Sequence, residues 1–208
     1  MDLVFVRHGQ PMRVEDAVGS ADPDLSETGR RQAAALATYL AGEQIDVVIA
    51  SPLRRAVQTA QPLADQRHLD VVVHDGVAEY DKASGEYIPI EQLLAEGHPG
   101  FQDVLSGNVH RAAGVDPYDF RTGVVVAVEE IVDAYGGQVV AVVCHGGVIN
   151  AYISHILGID DPTGFFYPNY TSIHRVVAAR SGERTLLSIN ETCHLRGPGF
   201  LVGRFGQP

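Results

Sequence analysis

Two histidines stand directly behind two valine-rich runs. His8, in Arg7-His8-Gly9, follows Leu3-Val4-Phe5-Val6. His145, in His145-Gly146-Gly147, follows Val139-Val140-Ala141-Val142-Val143 and Cys144. Short apolar runs of this kind read as buried strands. In an open α/β sheet the carboxyl ends of neighbouring strands border the ligand crevice. Two imidazoles delivered there, one beside a guanidinium, point to chemistry on an anion. Cys144, next to His145, reads as a small buried core residue rather than a reactive thiol.

The elements that must position these groups can be traced along the chain. Residues 2–6 predict the first strand. Ser26 is a candidate N-cap for a helix through the alanine-rich stretch Arg31 to Leu40. Val47-Val48-Ile49 predicts a second strand. Ser51-Pro52 predicts a helix start, with serine capping and proline in the first helical position, running to about Gln66 through Pro62. Val71-Val72-Val73 predicts a third strand. From Asp81 to about Pro117 no strand signal is present, and two helical fragments, 90–96 and 100–105, are separated by Gly and Pro. This stretch is too short for a core of its own and is expected to be a cap-like insertion (81–117) within a single domain spanning 1–208. A helix follows from about Tyr118 to Tyr135, then the strand at 139–143 and a helix from Val148 to Leu157. A strand pair is expected at Ile173–Ala179 and Thr185–Ile189. The alternation of strands and helices predicts an α/β fold, a mainly parallel central sheet with helices on both faces and the insertion over the strand C-terminal ends.

Composition narrows the function. No apolar run approaches the ~20 residues of a membrane span, and no membrane partner is expected. A signal peptide is not expected either, because the first apolar run is too short and Asp2 stands where a basic residue would. The net charge of −11 and the lack of any Lys/Arg block argue against a nucleic-acid partner. A few arginines in a cleft can still attract an anion against a diffuse negative surface. Two cysteines, Cys144 and Cys193, form no disulfide framework and fit a cytoplasmic, reducing setting. Composition leaves the oligomeric state open.

Four blocks, in order, resemble the histidine phosphatase superfamily, the phosphoglycerate-mutase-like enzymes. They are Arg7-His8-Gly9; Leu25-Ser26-Glu27-Thr28-Gly29 with Gln32-Ala33; Ser51-Pro52-Leu53-Arg54-Arg55-Ala56 with Thr59-Ala60; and His145-Gly146-Gly147. The resemblance implies that His8 attacks phosphorus and becomes phosphohistidine. That role needs a neutral imidazole, which nearby arginines favour by disfavouring its protonated form. It implies that Arg7 and Arg55 clamp phosphate, Arg55 being the arginine directly before Ala in the family's motif. Successive helical residues point about 100° apart, so Arg54 is expected on the surface. His145 would donate to a phosphoryl oxygen. Glu79 lies where relatives place a proton donor, with Asp75, Asp81 and Glu86 as competitors. Gly9, Gln10, Arg13 and Gly146 are expected at the substrate. No metal-ligand cluster or cofactor motif is visible, and none is expected.

Less is assigned elsewhere. Asn169-Tyr170-Thr171 is expected at the pocket edge, and Asn190 through His194-Leu195 in a supporting role. His74, His98, His110, His155 and His174 have no motif and are expected on the surface or internally satisfied, though His110, with Tyr87, Arg111 and Arg121, is placed by location to meet substrate.

The chain also departs from the family's pattern. Pro11 stands where relatives commonly carry threonine after the first block, and Val14 where they carry asparagine, leaving Arg13 as the nearest replacement donor. The stretch after Glu79 lacks the segment typical of the mutases. The expected activity is therefore hydrolysis of a small phosphorylated substrate. Phosphoglycerate-mutase-type transfer, or a weakly active phospho-ligand-binding relative, stands as the alternative.

Overall fold

The structure, a computed structural model, describes residues 1–105, 110, 113–197 and 200. Six strands form one sheet: β1 (Asp2–Arg7), β2 (Val47–Ala50), β3 (Val71–Val73), β4 (Val139–Cys144), β5 (Ile173–Ala178) and β6 (Arg184–Glu191). Their order is β3-β2-β4-β1-β5-β6. The first four run parallel, and β5 and β6 are antiparallel additions at one side. The helices are α1 (Glu27–Leu40), α2 (Arg54–Arg67), α3 (Ile90–Ala95), α4 (Gly100–Leu105), α5 (Pro117–Ala134) and α6 (Gly146–Leu157). Among the described residues no helix is long and apolar enough to cross a membrane.

The continuous apolar runs follow from a sheet covered on both faces. Leu3, Phe5, Val140 and Val142 pack on one side with Val124, Val128 and Ile131 of α5 and Val148 and Tyr152 of α6. Val4, Val6, Ala141 and Val143 face the other way, onto Leu36 and Leu40 of α1 and Ala56, Ala60 and Leu63 of α2. Alternate side chains of one strand thus enter two separate cores, so neither parity can be polar.

The expected start of α2 is corrected. The helix begins at Arg54, after Leu53, and no side chain caps it. Ser51 lies outside the helix, at the end of β2, and its hydroxyl reaches across the sheet instead. Pro62 sits inside α2 without ending it, and His68 closes the helix in a left-handed conformation (φ 56°).

The cap of α1 is tied to the loop after β1. Ser26 Oγ accepts from the Gly29 N–H (3.0 Å) and donates to Gln10 Oε1 (2.8 Å), while the Ser26 N–H donates to the Gln10 carbonyl (2.9 Å). Gln32 Oε1 accepts from the Gln10 N–H (2.8 Å). A Cβ on Gly29 would lie 2.1 Å from the Gln10 carbonyl oxygen. Only glycine lets the helix approach this closely. Gly29→Ala should therefore destabilise the protein by about 1–3 kcal/mol, the usual range for overpacking against fixed backbone. Chemical denaturation would read this as a lower midpoint with an unchanged slope; an unaltered midpoint would mean that the loop gives way freely.

Candidate active site

The β1–β4 ladder sets the site. Arg7 pairs with Cys144 in register, so His8 and His145 leave adjacent strands at the same height. The His8 N–H continues the ladder by donating to the Cys144 carbonyl (2.9 Å). The two imidazole centroids are 5.0 Å apart, and both side chains are buried.

His8 Nδ1 is 2.7 Å from the Gly9 carbonyl oxygen. A carbonyl can only accept, so Nδ1 carries the proton and Nε2 holds the free lone pair. Burial, then Arg55 and Arg7, drive the His8 pKa well below the ordinary histidine value, against the pull of the Gly9 carbonyl. Both effects favour the neutral ring, with its Nε2 lone pair free.

Arg7 and Arg55 flank it. The Arg7 guanidinium lies between the rings of Tyr167 (4.8 Å) and Tyr170 (4.3 Å) and donates through Nη1 to the Pro168 carbonyl (2.6 Å); its Nε has no partner. Arg55 is 1% exposed. Its Nη2 donates to Asp81 Oδ1 (2.9 Å), its plane covers the Tyr87 ring (4.7 Å), and Nε and Nη1 have no partner. Buried donors this strong rarely go unpaired, and three of them here surround a neutral histidine. Arg54 points away: its side chain is 59% exposed and pairs with Asp24.

Glu79 follows the 3₁₀ turn Asp75–Val77 after β3. Its carboxyl accepts from the Gly147 N–H at Oε2 (2.9 Å) and the Tyr80 N–H at Oε1 (3.2 Å). A Cβ on Gly147 would come 2.3 Å from Glu79 Oε1, so this glycine lets the carboxyl reach the first turn of α6. Burial first, then the charge of Asp81, push the Glu79 pKa up to about 7, against the Gly147 N–H and Arg55. Its acid and base forms are therefore both populated near neutrality.

Arg7, His8, Arg55 and Glu79 border a cavity of about 930 Å³, also lined by Tyr80, Tyr87, Phe101, Phe166 and Gly146, while His145 is fully buried beside His8 and does not line it. Among the described residues no group of three or more His, Cys, Asp or Glu could hold a metal ion.

Three of the residues expected at substrate are engaged elsewhere. Arg13 forms ion pairs with Glu15 (2.7 Å) and Glu96 (2.6 Å), so its guanidinium is held by carboxylates and does not line the cavity. The Gln10 amide donates to Glu91 and accepts from Ser26, and it does not line the cavity. Gly9 packs onto α1, where a Cβ would meet the Gly29 carbonyl oxygen at 2.7 Å, and its N–H donates to Thr59 Oγ1 (2.9 Å). Arg121 donates to the Ile159 carbonyl beyond α6, away from the cavity. Arg111 lies outside the described residues.

Asn190 supports the pocket edge: it accepts from the Asn169 N–H (2.8 Å) and donates to the Tyr167 carbonyl (3.2 Å). His174 is internally satisfied by Ser172 and the Asn190 N–H. His110 is not satisfied. It is 3% exposed, packs at 4.3 Å on Tyr80 in the cavity wall, and among the described residues neither ring nitrogen has a partner. Sequence reasoning missed Ser51, whose hydroxyl lies 2.7 Å from His145 Nε2.

The family model of the histidine phosphatase superfamily (branch 1) matches residues 3–192. The chain belongs to this superfamily. Phosphoserine phosphatase 1 of Hydrogenobacter thermophilus is 28% identical over 197 residues, covering 93% of each chain. A phosphoserine phosphatase of Entamoeba histolytica, solved with 3-phosphoglyceric acid, is 25% identical with a TM-score of 0.72, over 93% of this chain and 98% of that one. A mycobacterial glucosyl-3-phosphoglycerate phosphatase, solved with VO3, is 26% identical with a TM-score of 0.73, over 92% of this chain and 99% of that one.

The contrast between the tandem arginines can be tested directly. Arg55→Ala should lower kcat/KM by about two orders of magnitude, the worth of a lost charge-assisted contact of roughly 3 kcal/mol. Arg54→Ala should change it less than about 2-fold, as for a solvated surface charge. Equal losses in steady-state assays would mean that the cavity-facing arginine is misassigned.

Proposed function

We propose that this phosphatase hydrolyses small phosphomonoesters through a phosphohistidine on His8. The observation that carries the reading is the neutral His8, its Nδ1 proton held by Gly9, set between two buried guanidiniums with unpaired N–H groups. His8 Nε2 attacks phosphorus as the bond to the leaving oxygen breaks. Arg7 and Arg55 hold the equatorial oxygens, and His145 donates to one of them as charge grows. Glu79, protonated, delivers its proton to the leaving alkoxide. Water then attacks the phosphohistidine, and the Glu79 carboxylate takes a proton from it. Inorganic phosphate, neutral His8 and protonated Glu79 result, and the cycle closes without a cofactor.

The relatives suggest phosphorylated hydroxy acids and their sugar conjugates as the first substrates to try, and the cavity volume accommodates either. We read residues 1–208 as one domain, with 81–117 as a cap; in support, Tyr87, Leu93, Phe101 and His110 of that segment all line the cavity. Two free cysteines, one buried, fit a cytoplasmic setting.

Acid-stable trapping fails for phosphohistidine, so the intermediate should be recovered under base. Rapidly quenched enzyme should carry a base-stable, acid-labile phosphate on the His8 peptide, absent in His8→Ala. Label on serine or aspartate would refute the mechanism.

Glu79 gives a pH test whose sign is fixed. The acid must be protonated to act, so kcat/KM for alkyl phosphates should fall as pH rises through about 7. A nitrophenolate leaves without a proton, so para-nitrophenyl phosphate should lack that limb. Glu79→Gln should slow alkyl substrates by roughly 10²-fold, and the aryl ester much less, in single turnovers. Equal losses on both would mean that Glu79 positions the phosphoryl group instead of donating a proton.

A further inference from the structure

His145 Nε2 lies 2.7 Å from Ser51 Oγ, and its Nδ1 is buried with no partner. Burial, then Arg55, His8 and Arg7, keep the ring neutral. A neutral imidazole has one proton and two places to carry it. If the proton sat on Nε2, His145 would present a lone pair at Nδ1, which repels a phosphoryl oxygen. If it sat on Nδ1, the same ring would be a donor.

Ser51 decides between them. It is fully buried, anchored at the end of β2 by its N–H to the Val143 carbonyl (3.0 Å), one strand from His145. Its Oγ accepts from the Leu53 N–H (3.3 Å). A hydroxyl has one proton to give. Among the described residues His145 Nε2 is the one acceptor within reach of it. Were Nε2 protonated, Nε2–H and the Leu53 N–H would both donate to Oγ and the serine proton would be stranded in a buried site, which is unfavourable. With Ser51 donating to Nε2, the serine oxygen, its proton and Nε2 are all paired; the remaining proton stands on Nδ1, which among the described residues has no partner.

We propose that Ser51 is a positioning residue that holds His145 as its Nδ1–H tautomer and so makes it a donor to the phosphoryl group. The inference rests on the phosphohistidine reading for the purpose of that donor. The two histidines then share one tautomer and use opposite ends of it. His8 has its proton tied to the Gly9 carbonyl and presents a lone pair. His145 has its lone pair capped by Ser51 and presents a proton. One strand end supplies the nucleophile, its neighbour the electrophilic contact, and neither ring needs a charge.

The tautomer can be read without substrate. In protein labelled with 15N-histidine, long-range proton–nitrogen spectra distinguish the two forms, and the His145 signal is identified by its loss in His145→Asn. Wild-type protein should show Nδ1–H. Ser51→Ala should shift His145 towards Nε2–H and slow single-turnover phosphorylation of His8 by about 10²-fold, the scale of one lost transition-state donor. Ser51→Thr, which keeps the hydroxyl, should restore the tautomer and most of the rate. Wild-type His145 protonated on Nε2 would overturn the proposal, whether or not the alanine variant folds. So would a Ser51→Ala enzyme with a shifted tautomer and an unchanged rate. Base-stable phosphate on His8 would still be recovered in that case, which separates failure of this inference from failure of the phosphohistidine mechanism.

Discussion

The parallel pairing of β1 with β4 is the constraint on which the site depends. Parallel strands advance in step, so Arg7 opposite Cys144 brings the next residue of each strand, His8 and His145, side by side. A slip of one residue would invert the side chains of the slipped strand and send the histidines to opposite faces. The slip is prevented by the two cores. Leu3 and Phe5 fit only the face covered by α5 and α6, and Val4 and Val6 only the face covered by α1 and α2. Hydrophobic packing on both sides of a strand thus fixes a chemical distance at its end.

The second feature is a pair of buried guanidiniums, Arg7 and Arg55, in a protein of net charge −11. Two buried guanidiniums are costly unless compensated. Arg7 is compensated by two aromatic faces and a carbonyl, Arg55 by Asp81 and the Tyr87 ring. Neither is saturated. Burial first, and then this field, push the pKa of both histidines down, and the field would raise the population of a bound dianion. Glu79 answers to the opposite term: burial and Asp81 favour its protonated form, while the Gly147 N–H and Arg55 favour the carboxylate. In the mechanism proposed here, the near balance of these terms would let one carboxyl serve as acid in one half-reaction and base in the other.

Much of this is legible in the sequence, and the reasons differ by residue. His8 and His145 can be read because each terminates an apolar run, and strand ends are where such sheets place ligands. Arg55 can be told from Arg54 because the resemblance places the arginine directly before Ala, and a helix that turns about 100° per residue then sends Arg54 elsewhere. Thr59 and Gln32 belong to recognisable blocks, but their work is structural: they hold the Gly9 and Gln10 N–H groups and so shape the loop after the nucleophile. Ser51 misleads, because Ser-Pro is a good local helix start and nothing local reveals a partner 94 residues away. Tertiary bonding overrides the local preference. His110 carries no pattern at all; its burial against Tyr80 and Phe120 arises from the packing of a segment without strand or long-helix signals.

The departures from the family's pattern after the first block have a structural counterpart. With Pro11 and Val14 in place of threonine and asparagine, this loop does not turn donors towards the cavity. Pro11 forms a bridge with Leu25, and Val14 exchanges both backbone hydrogen bonds with Tyr87. Gln10 donates to Glu91 at the start of α3, and the other oxygen of that carboxylate accepts from the Tyr170 hydroxyl. The loop behind the nucleophile has become the anchor of the segment that walls the cavity. The same two residues, Tyr87 and Tyr170, are the rings that cover Arg55 and Arg7. Anchoring the wall and orienting the clamps are therefore one set of contacts. These contacts hold the two guanidiniums in place while, among the described residues, three of their nitrogens, Arg7 Nε and Arg55 Nε and Nη1, remain unpaired.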